Sequence, residues 1–365
     1  MISLLRALRK KLSPAYLAGF SCPDWFRFLG RNNWQIDPRF LPRAVHVSLW
    51  TVATSGIKCF EDRIDLSGVD EQVWQKPVFL LGLPRSGTTH LFNLLAKDDR
   101  FGFPTRFDVF NPHTFLTLRK IGLHRMLARQ PAVKRPMDNI ELGWFSPEED
   151  NIALGILSGS GPRVESIFPK RISYADRFRP VRERTEEERR AFRDALALFT
   201  RKLVYAFNRP LLLKSPAHLV YIEEILAVFP EAKFVGIARK PNAQFVSLRH
   251  MHLVTAGEDW AVLQNTPNLS NEELLTRIEH HVGAYMKARP LIPSQNLVEI
   301  RYEDLVANSL GCLSQIYSGL GLKLPKEFAS FETKECYTTN RHNSLEKIFR
   351  NDLKQYIGRF TRQVS

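Results

Sequence analysis

The stretch Gly82-Leu83-Pro84-Arg85-Ser86-Gly87-Thr88-Thr89 is the part of this chain best suited to holding an anion. Its glycines follow the G-x-x-x-x-G spacing of a phosphate-binding loop, in which backbone N–H groups surround phosphate oxygens. Arg85 adds a charge, and Ser86, Thr88 and Thr89 add hydroxyls. A loop of this kind that serves ATP or GTP has a lysine after the second glycine, reaching the β and γ phosphates, and then a Ser or Thr on magnesium. Here that position is Thr88, and the apolar run Phe234 to Ala238 ends at Arg239 instead of at a carboxylate that would support a metal. The residues describe a site for a nucleotide that needs neither Mg²⁺ nor a γ-phosphate contact. No metal is expected, because His250, His252, His280 and His281 lack carboxylates in a metal-binding arrangement.

The elements that must carry these residues are legible around them. Val78-Phe79-Leu80-Leu81 is a continuous apolar run, as in a strand buried on both faces of a parallel sheet, and it leads directly into the loop. His90 to Ala96 continues as a helix with Leu91, Leu94 and Leu95 on its apolar stripe, so the loop ends at a helix N-terminus, where partial positive charge favours an anion. Leu211-Leu212-Leu213 and Phe234 to Ala238 are further strands, separated by a helical pattern that stops at Pro230. A fourth run, Leu297 to Ile300, ends at Arg301-Tyr302-Glu303-Asp304. Capping boxes at Thr185/Glu188 and Ser270/Glu273 mark what read as the two longest helices. Alternating strands and helices predict an α/β fold, a P-loop-like three-layer sandwich whose central parallel sheet binds ligands at its strand ends. Residues 1–76, helical in pattern and broken by Pro14, Pro23, Pro38 and Pro42, are expected to form an extension packing on a main domain of residues 77–365. The proline-rich region from about 130 to 180 reads as loops and short helices framing an acceptor pocket.

With 365 residues, 44% of them hydrophobic, the chain can bury a sizeable core. Its net charge of +14 fits nucleic acid, an anionic membrane or a small polyanionic ligand. Without a long Lys/Arg block, nucleic acid is the weakest of the three and is not expected as a partner. Cys22, Cys59, Cys312 and Cys336 are too scattered for a zinc ribbon or a disulfide framework, which points to a reducing, cytoplasmic setting. Residues 1–12 pattern as a basic amphipathic helix, suited to peripheral contact with the inner face of a membrane, and Ala44 to Ile57 is too short and polar to span one.

Pro84-Arg85-Ser86-Gly87-Thr88-Thr89 after a strand resembles the 5'-phosphosulfate loop of sulfotransferases that use 3'-phosphoadenosine 5'-phosphosulfate, in their bacterial and tyrosylprotein-type branch. Ala238-Arg239-Lys240-Pro241 followed by Ser247 is similar to that family's 3'-phosphate site, where arginine's planar fork suits two phosphate oxygens. Leu213-Lys214-Ser215-Pro216-Ala217-His218, Arg301-Tyr302-Glu303-Asp304-Leu305, Ser146-Pro147-Glu148-Glu149-Asp150 and Asn111-Pro112-His113-Thr114-Phe115 resemble further family segments. Together the resemblance covers roughly residues 77–320.

The resemblance implies transfer of a sulfuryl group to a hydroxyl or amine. Arg85, Ser86, Gly87, Thr88 and Thr89 would hold the 5'-phosphosulfate, Arg239 and Ser247 the 3'-phosphate, and Lys214 would stabilise charge on the leaving oxygen. His218 and Glu149 are both candidates for the base that takes the acceptor's proton. Tyrosylprotein sulfotransferases carry a glutamate about two dozen residues after the first loop glycine, but here those positions are Thr105 and Arg106. Arg341 and Lys347 loosely match a late loop over the nucleotide. Phe101, Phe103, Phe107, Phe110, Phe115, Trp144 and Phe145 would suit a hydrophobic small-molecule or lipid acceptor, and would equally suit a core. The competing readings are a P-loop kinase using ATP-Mg²⁺ and a basic membrane- or nucleic-acid-binding protein with a degenerate nucleotide fold.

Overall fold

Alternate side chains of the buried strands leave one sheet in opposite directions, and this period of two builds two separate cores. The computed structural model describes residues 15–328 apart from 136, 137, 139, 174, 256–261, 267, 268 and 327. Within it β1 (Val78–Leu81), β4 (Leu212–Lys214), β5 (Lys233–Ala238) and β6 (Leu297–Arg301) form a parallel sheet in the order β4-β1-β5-β6. Phe79, Leu81, Leu213 and Phe234 enter the core on one face, while Leu80, Leu212, Val235 and Ile300 enter the core on the other. Every residue of β1 is buried, as its uninterrupted apolar run predicts. With helices on both faces the architecture is the expected three-layer α/β sandwich.

On the first face lie α8 (Glu186–Phe207) and α9 (His218–Val228), and on the other α3 (Thr88–Leu95) and α13 (Ser309–Gly319). Both capping boxes form, Thr185 with Glu188 at α8 and Ser270 with Glu273 at α11 (Asn271–Ala288). The expectation that these are the two longest helices is corrected by α2 (Leu41–Glu61), which at 21 residues exceeds the 18 of α11. Its start was concealed because Phe40 caps it without a side-chain bond and Pro42 lies in its first turn. Pro23 likewise opens α1 (Cys22–Arg31), so these prolines start helices instead of breaking them.

Residues 15–76 pack onto the first core with aromatic and buried polar contacts. Phe28 meets Phe168 at 5.6 Å between ring centroids, and Trp74 Nε1 donates to Thr200 Oγ1 of α8 at 2.9 Å. The buried Glu61 carboxylate accepts from Leu116 and Thr117 N–H, at 3.1 and 2.6 Å, and pairs with Lys202 at 2.6 Å. Those amides open α5 (Phe115–Lys120), so one carboxylate ties α2, α5 and α8 together.

The loop after β1 depends on its second glycine. Gly87 has φ 98°, and a Cβ there would run into the ring of Tyr302, the first residue of α12 (Tyr302–Ala307). Gly87→Ala is therefore expected to lose about 2 kcal/mol or more, from the left-handed backbone and the displaced ring. Gly56→Ala, in the exposed middle of α2 with open space around it, is expected to gain about 0.5–1 kcal/mol. Urea midpoints of the two variants against the parent protein measure both.

Candidate active site

The sheet order explains which residues can meet. β1 lies between β4 and β5, so the loop that leaves its carboxyl end has Lys214 at the end of β4 on one side and Arg239 after β5 on the other. The register sets Leu80 beside Lys214 and Leu81 beside Gly236, so β4 and β1 end within one residue of each other while β5 runs on to Ala238 before Arg239. Ligands of open α/β sheets bind outside such strand ends.

The loop is clamped from the β5 side. Arg239 Nη1 donates to the Arg85 carbonyl at 3.2 Å, and Gln244 Nε2 of α10 (Pro241–Thr255) donates to the Pro84 carbonyl at 3.0 Å. Arg85 has φ 69°, a left-handed backbone that glycine adopts without the steric cost of a Cβ. Its Nε donates to Ser247 Oγ of α10 at 3.0 Å, which brings the loop and the predicted Arg239/Ser247 pair into one cluster. Gly82 is required by close packing, since a Cβ there would lie 2.6 Å from Ser86 Oγ and from Thr88 Cγ2.

Two polar atoms in this cluster are buried without a hydrogen-bond partner among the described residues, Ser86 Oγ and Arg239 Nε. Arg239 also stacks on Tyr302, 4.6 Å from the ring centroid. Burial pushes its guanidinium below the ordinary value, and neighbouring Arg85 adds to this against Tyr302 and Glu303. A cation so placed gains from an anion that shares its site, and an orphaned hydroxyl beside it supplies a further contact. The residues therefore fit a phosphorylated ligand.

On the β4 side, Glu149 and Asp150 are consecutive and reach two different partners. Glu149 Oε1 accepts from Lys214 Nζ at 2.7 Å, and Asp150 lies 2.9–3.0 Å from His218 Nε2. Asp150 precedes α7 (Asn151–Ser158), and His218 is the first residue of α9. The surrounding strip is held in place by the Glu148 N–H, which donates to the Pro104 carbonyl at 3.0 Å. The two candidate bases differ sharply in access, with the Glu149 side chain 30% exposed and that of His218 only 1%. His218 Nδ1 is buried without a partner among the described residues, and its ring stands edge-on to Phe79 at 5.1 Å. Burial would push the Glu149 carboxyl up, but Lys214 beside it, with Arg163 and Arg135 beyond, holds it below its ordinary 4.5. Its pair with Lys214 is thus fully formed at neutral pH and is lost only as pH falls below that range.

Next to Lys214 opens a cavity of about 240 Å³, with Thr89, Phe103, Arg135, Leu142, Glu148 and Lys214 in its wall. One side of it comes from a short hairpin, β2 (Val133–Lys134) and β3 (Glu141–Leu142), in the region read from sequence as an acceptor frame. Neither His218 nor Glu149 is part of that wall. Of the aromatic acceptor candidates, Phe103 lines it, whereas Phe107 and Phe115 are fully buried in the core.

Arg135 and Asp138 were not singled out from sequence. Asp138 Oδ2 accepts from Arg85 Nη1 at 2.7 Å and its Oδ1 from Arg135 Nε at 2.9 Å, so one carboxylate connects the cavity wall to the loop. Burial raises the Asp138 carboxyl, but the two arginines outweigh it and leave the carboxyl below its ordinary range. The sequence holds only one hint of this unit, an acid placed three positions after the last arginine of a basic stretch. Arg341 and Lys347 lie outside the described residues.

The model of the sulfotransferase family matches residues 77–326. The chain is 27% identical over 324 residues to an omega-hydroxy-beta-dihydromenaquinone-9 sulfotransferase, Stf3, of Mycobacterium bovis, an alignment covering 88% of this chain and 82% of that protein. The Mycobacterium tuberculosis protein of the same name matches equally. Among solved structures, the sulfotransferase STF9 from Mycobacterium avium superposes with a TM-score of 0.57 at 19% identity, over 92% of this chain and 96% of that one. STF1 from Mycobacterium tuberculosis H37Rv gives 0.53 at 17%, over 96% and 98%. These two likenesses show a shared fold. Because the family match spans the loop, Lys214 and Arg239 together, the chain belongs to the sulfotransferase family and is a transferase of sulfuryl groups.

Proposed function

We propose that this enzyme takes its sulfuryl group from 3'-phosphoadenosine 5'-phosphosulfate and delivers it to a hydroxyl or amine of a hydrophobic small molecule or lipid. The observation that carries the reading is the loop's position between Arg239/Ser247 and Lys214, which offers one end of a bisphosphorylated nucleotide a half-buried arginine and the other a lysine beside a cavity. Arg239 and Ser247 would take the 3'-phosphate. Arg85, Ser86 and the N–H groups of Gly87, Thr88 and Thr89 would take the 5'-phosphosulfate, with Lys214 neutralising the bridging oxygen as the S–O bond breaks. The acceptor oxygen or nitrogen forms the new bond to sulfur, and its proton passes to a base. Glu149 suits that role better than His218, being partly exposed and ionised beside Lys214. His218 then serves as a positioning residue that fixes Asp150 and with it the Glu149 backbone.

A hydrophobic acceptor is favoured by Phe103, Ile140 and Leu142 in the cavity wall and by the menaquinone-derived acceptor in the name of the 27% identical relative. We place the enzyme in the cytoplasm. Cys22, Cys59 and Cys312 are free, and no described helix is long and apolar enough to cross a membrane.

The test is a thermal-shift titration with adenosine 3',5'-bisphosphate in the absence of magnesium. At a hundredfold excess over Kd the ligand contributes about 2.7 kcal/mol, a rise of several degrees for a chain of this size. Stabilisation by ATP-Mg²⁺ with none from the bisphosphate would overturn the donor assignment.

A further inference from the structure

From Val109 to Met137 the chain carries six basic residues, Arg119, Lys120, Arg125, Arg129, Lys134 and Arg135, and no acidic one. Arg119 is taken up by Asp108 and Arg135 by Asp138. The other four are exposed, and among the described residues only Lys134 has an acid nearby, Glu141 at 3.8 Å. Large apolar side chains stand among them in the open. Ile121, just after α5, is 67% exposed, and Met126, on the short α6 (Leu123–Ala128), is 65% exposed. Val133, at the start of the hairpin that walls the cavity, is exposed as well.

A second apolar surface lies on α2, whose last residue, Glu61, meets the start of α5. On α2 the exposed side chains Leu41, Val45, Leu49, Val52 and Phe60 recur at helical spacing, with Trp50 beside them. From Leu41 to Ile57 none of the exposed positions is charged. The Glu61 carboxylate at the end of this stripe holds the amides that start α5, and α5 rises only about 9 Å before it delivers Ile121.

We propose that the stripe of α2 and the tip 120–134 form one docking surface for an anionic lipid bilayer, with the apolar side chains entering the headgroup boundary and the cations meeting lipid phosphates. Amphipathic surfaces that combine large apolar groups with Lys and Arg bind in this way. The excess of unmatched cations decides against other occupants. Residues 1–14 are themselves basic and without an acid, and a second copy would bring like charges together across a two-fold axis. The hairpin carries the surface directly into the cavity wall, so a lipid acceptor would reach Lys214 without leaving the membrane. This last consequence rests on the proposed acceptor class, whereas the docking itself does not.

Flotation of the full chain with phosphatidylcholine vesicles, with and without 30% phosphatidylglycerol, tests the surface. Binding is expected with the anionic vesicles only, to weaken in 0.5 M salt, and to fall at least tenfold in Ile121→Asp/Met126→Asp. It should fall roughly fivefold per charge in Lys120→Gln/Arg125→Gln, a variant confined to exposed polar positions. The bisphosphate thermal shift of each variant should match the parent's, which separates a lost surface from a lost fold. If the parent shows no such shift, the donor assignment fails while the flotation result stands. Equal binding to both vesicle types would overturn the proposal. So would binding that survives both tip variants and disappears in Arg9→Glu/Lys10→Glu.

Discussion

Lys214→Ala is expected to lower kcat by two to three orders of magnitude while changing affinity for adenosine 3',5'-bisphosphate only several-fold. The ammonium sits at the end of β4, level with the loop, in the cavity wall and 2.7 Å from Glu149. From there it can act on charge that grows only as the bond to sulfur breaks, and removing a single donor of this kind commonly costs a hundred- to a thousand-fold in rate. The bisphosphate product lacks the transferring group and does not need that contact. A complication is that the alanine leaves the Glu149 carboxylate without its cation, so Lys214→Met/Glu149→Gln, which removes both charges, provides the control for stability. Single-turnover release of the bisphosphate from the labelled donor, with a long-chain alcohol as acceptor, measures the effect. A rate loss under tenfold in Lys214→Ala would remove the lysine from the chemical step.

Arg239→Ala should weaken adenosine 3',5'-bisphosphate about a hundredfold and leave adenosine 5'-phosphate almost unaffected, which abolishes the protein's preference for the 3'-phosphorylated nucleotide. The size follows from about 1.5–3 kcal/mol for hydrogen bonds to a charged group. The same variant is expected to melt no lower than the parent without ligand. Arg239 buries, beside Arg85, an Nε that has no partner among the described residues, and its one described hydrogen bond is a 3.2 Å contact to the Arg85 carbonyl. Loss of stability together with loss of binding would mean that Arg239 shapes the loop and does not contact the nucleotide. Calorimetric titration of the two nucleotides distinguishes these cases.

The donor side of this site was legible because its information is local. Gly82 to Thr89 is a contiguous stretch whose spacing sets the turn, and Arg239 with Ser247 lies within one strand–helix junction. The acceptor side depends on pairings distant in sequence. Lys214 meets Glu149 across 65 positions and His218 meets Asp150 across 68, and no periodicity links such residues. Sequence could name Glu149 and His218 as candidates but could not rank them, since their difference is one of burial. The sheet order was equally hidden, because four apolar runs do not state which is central. α2 was obscured by reading Pro42 as a break where it serves as a first turn.

Asp138 has a consequence for the order in which ligands gather. Its carboxylate is shared between Arg85 on the loop and Arg135 in the cavity wall, so it belongs at once to both halves of the site. An anion that draws Arg85 away leaves Arg135 with a carboxylate it no longer shares and alters the wall that the second substrate touches. The two binding free energies are then linked, and whatever factor the first ligand imposes on the second is returned in full. Enzyme kinetics would record this as synergy or antagonism between substrates, and its sign would be set by a residue that need contact neither of them.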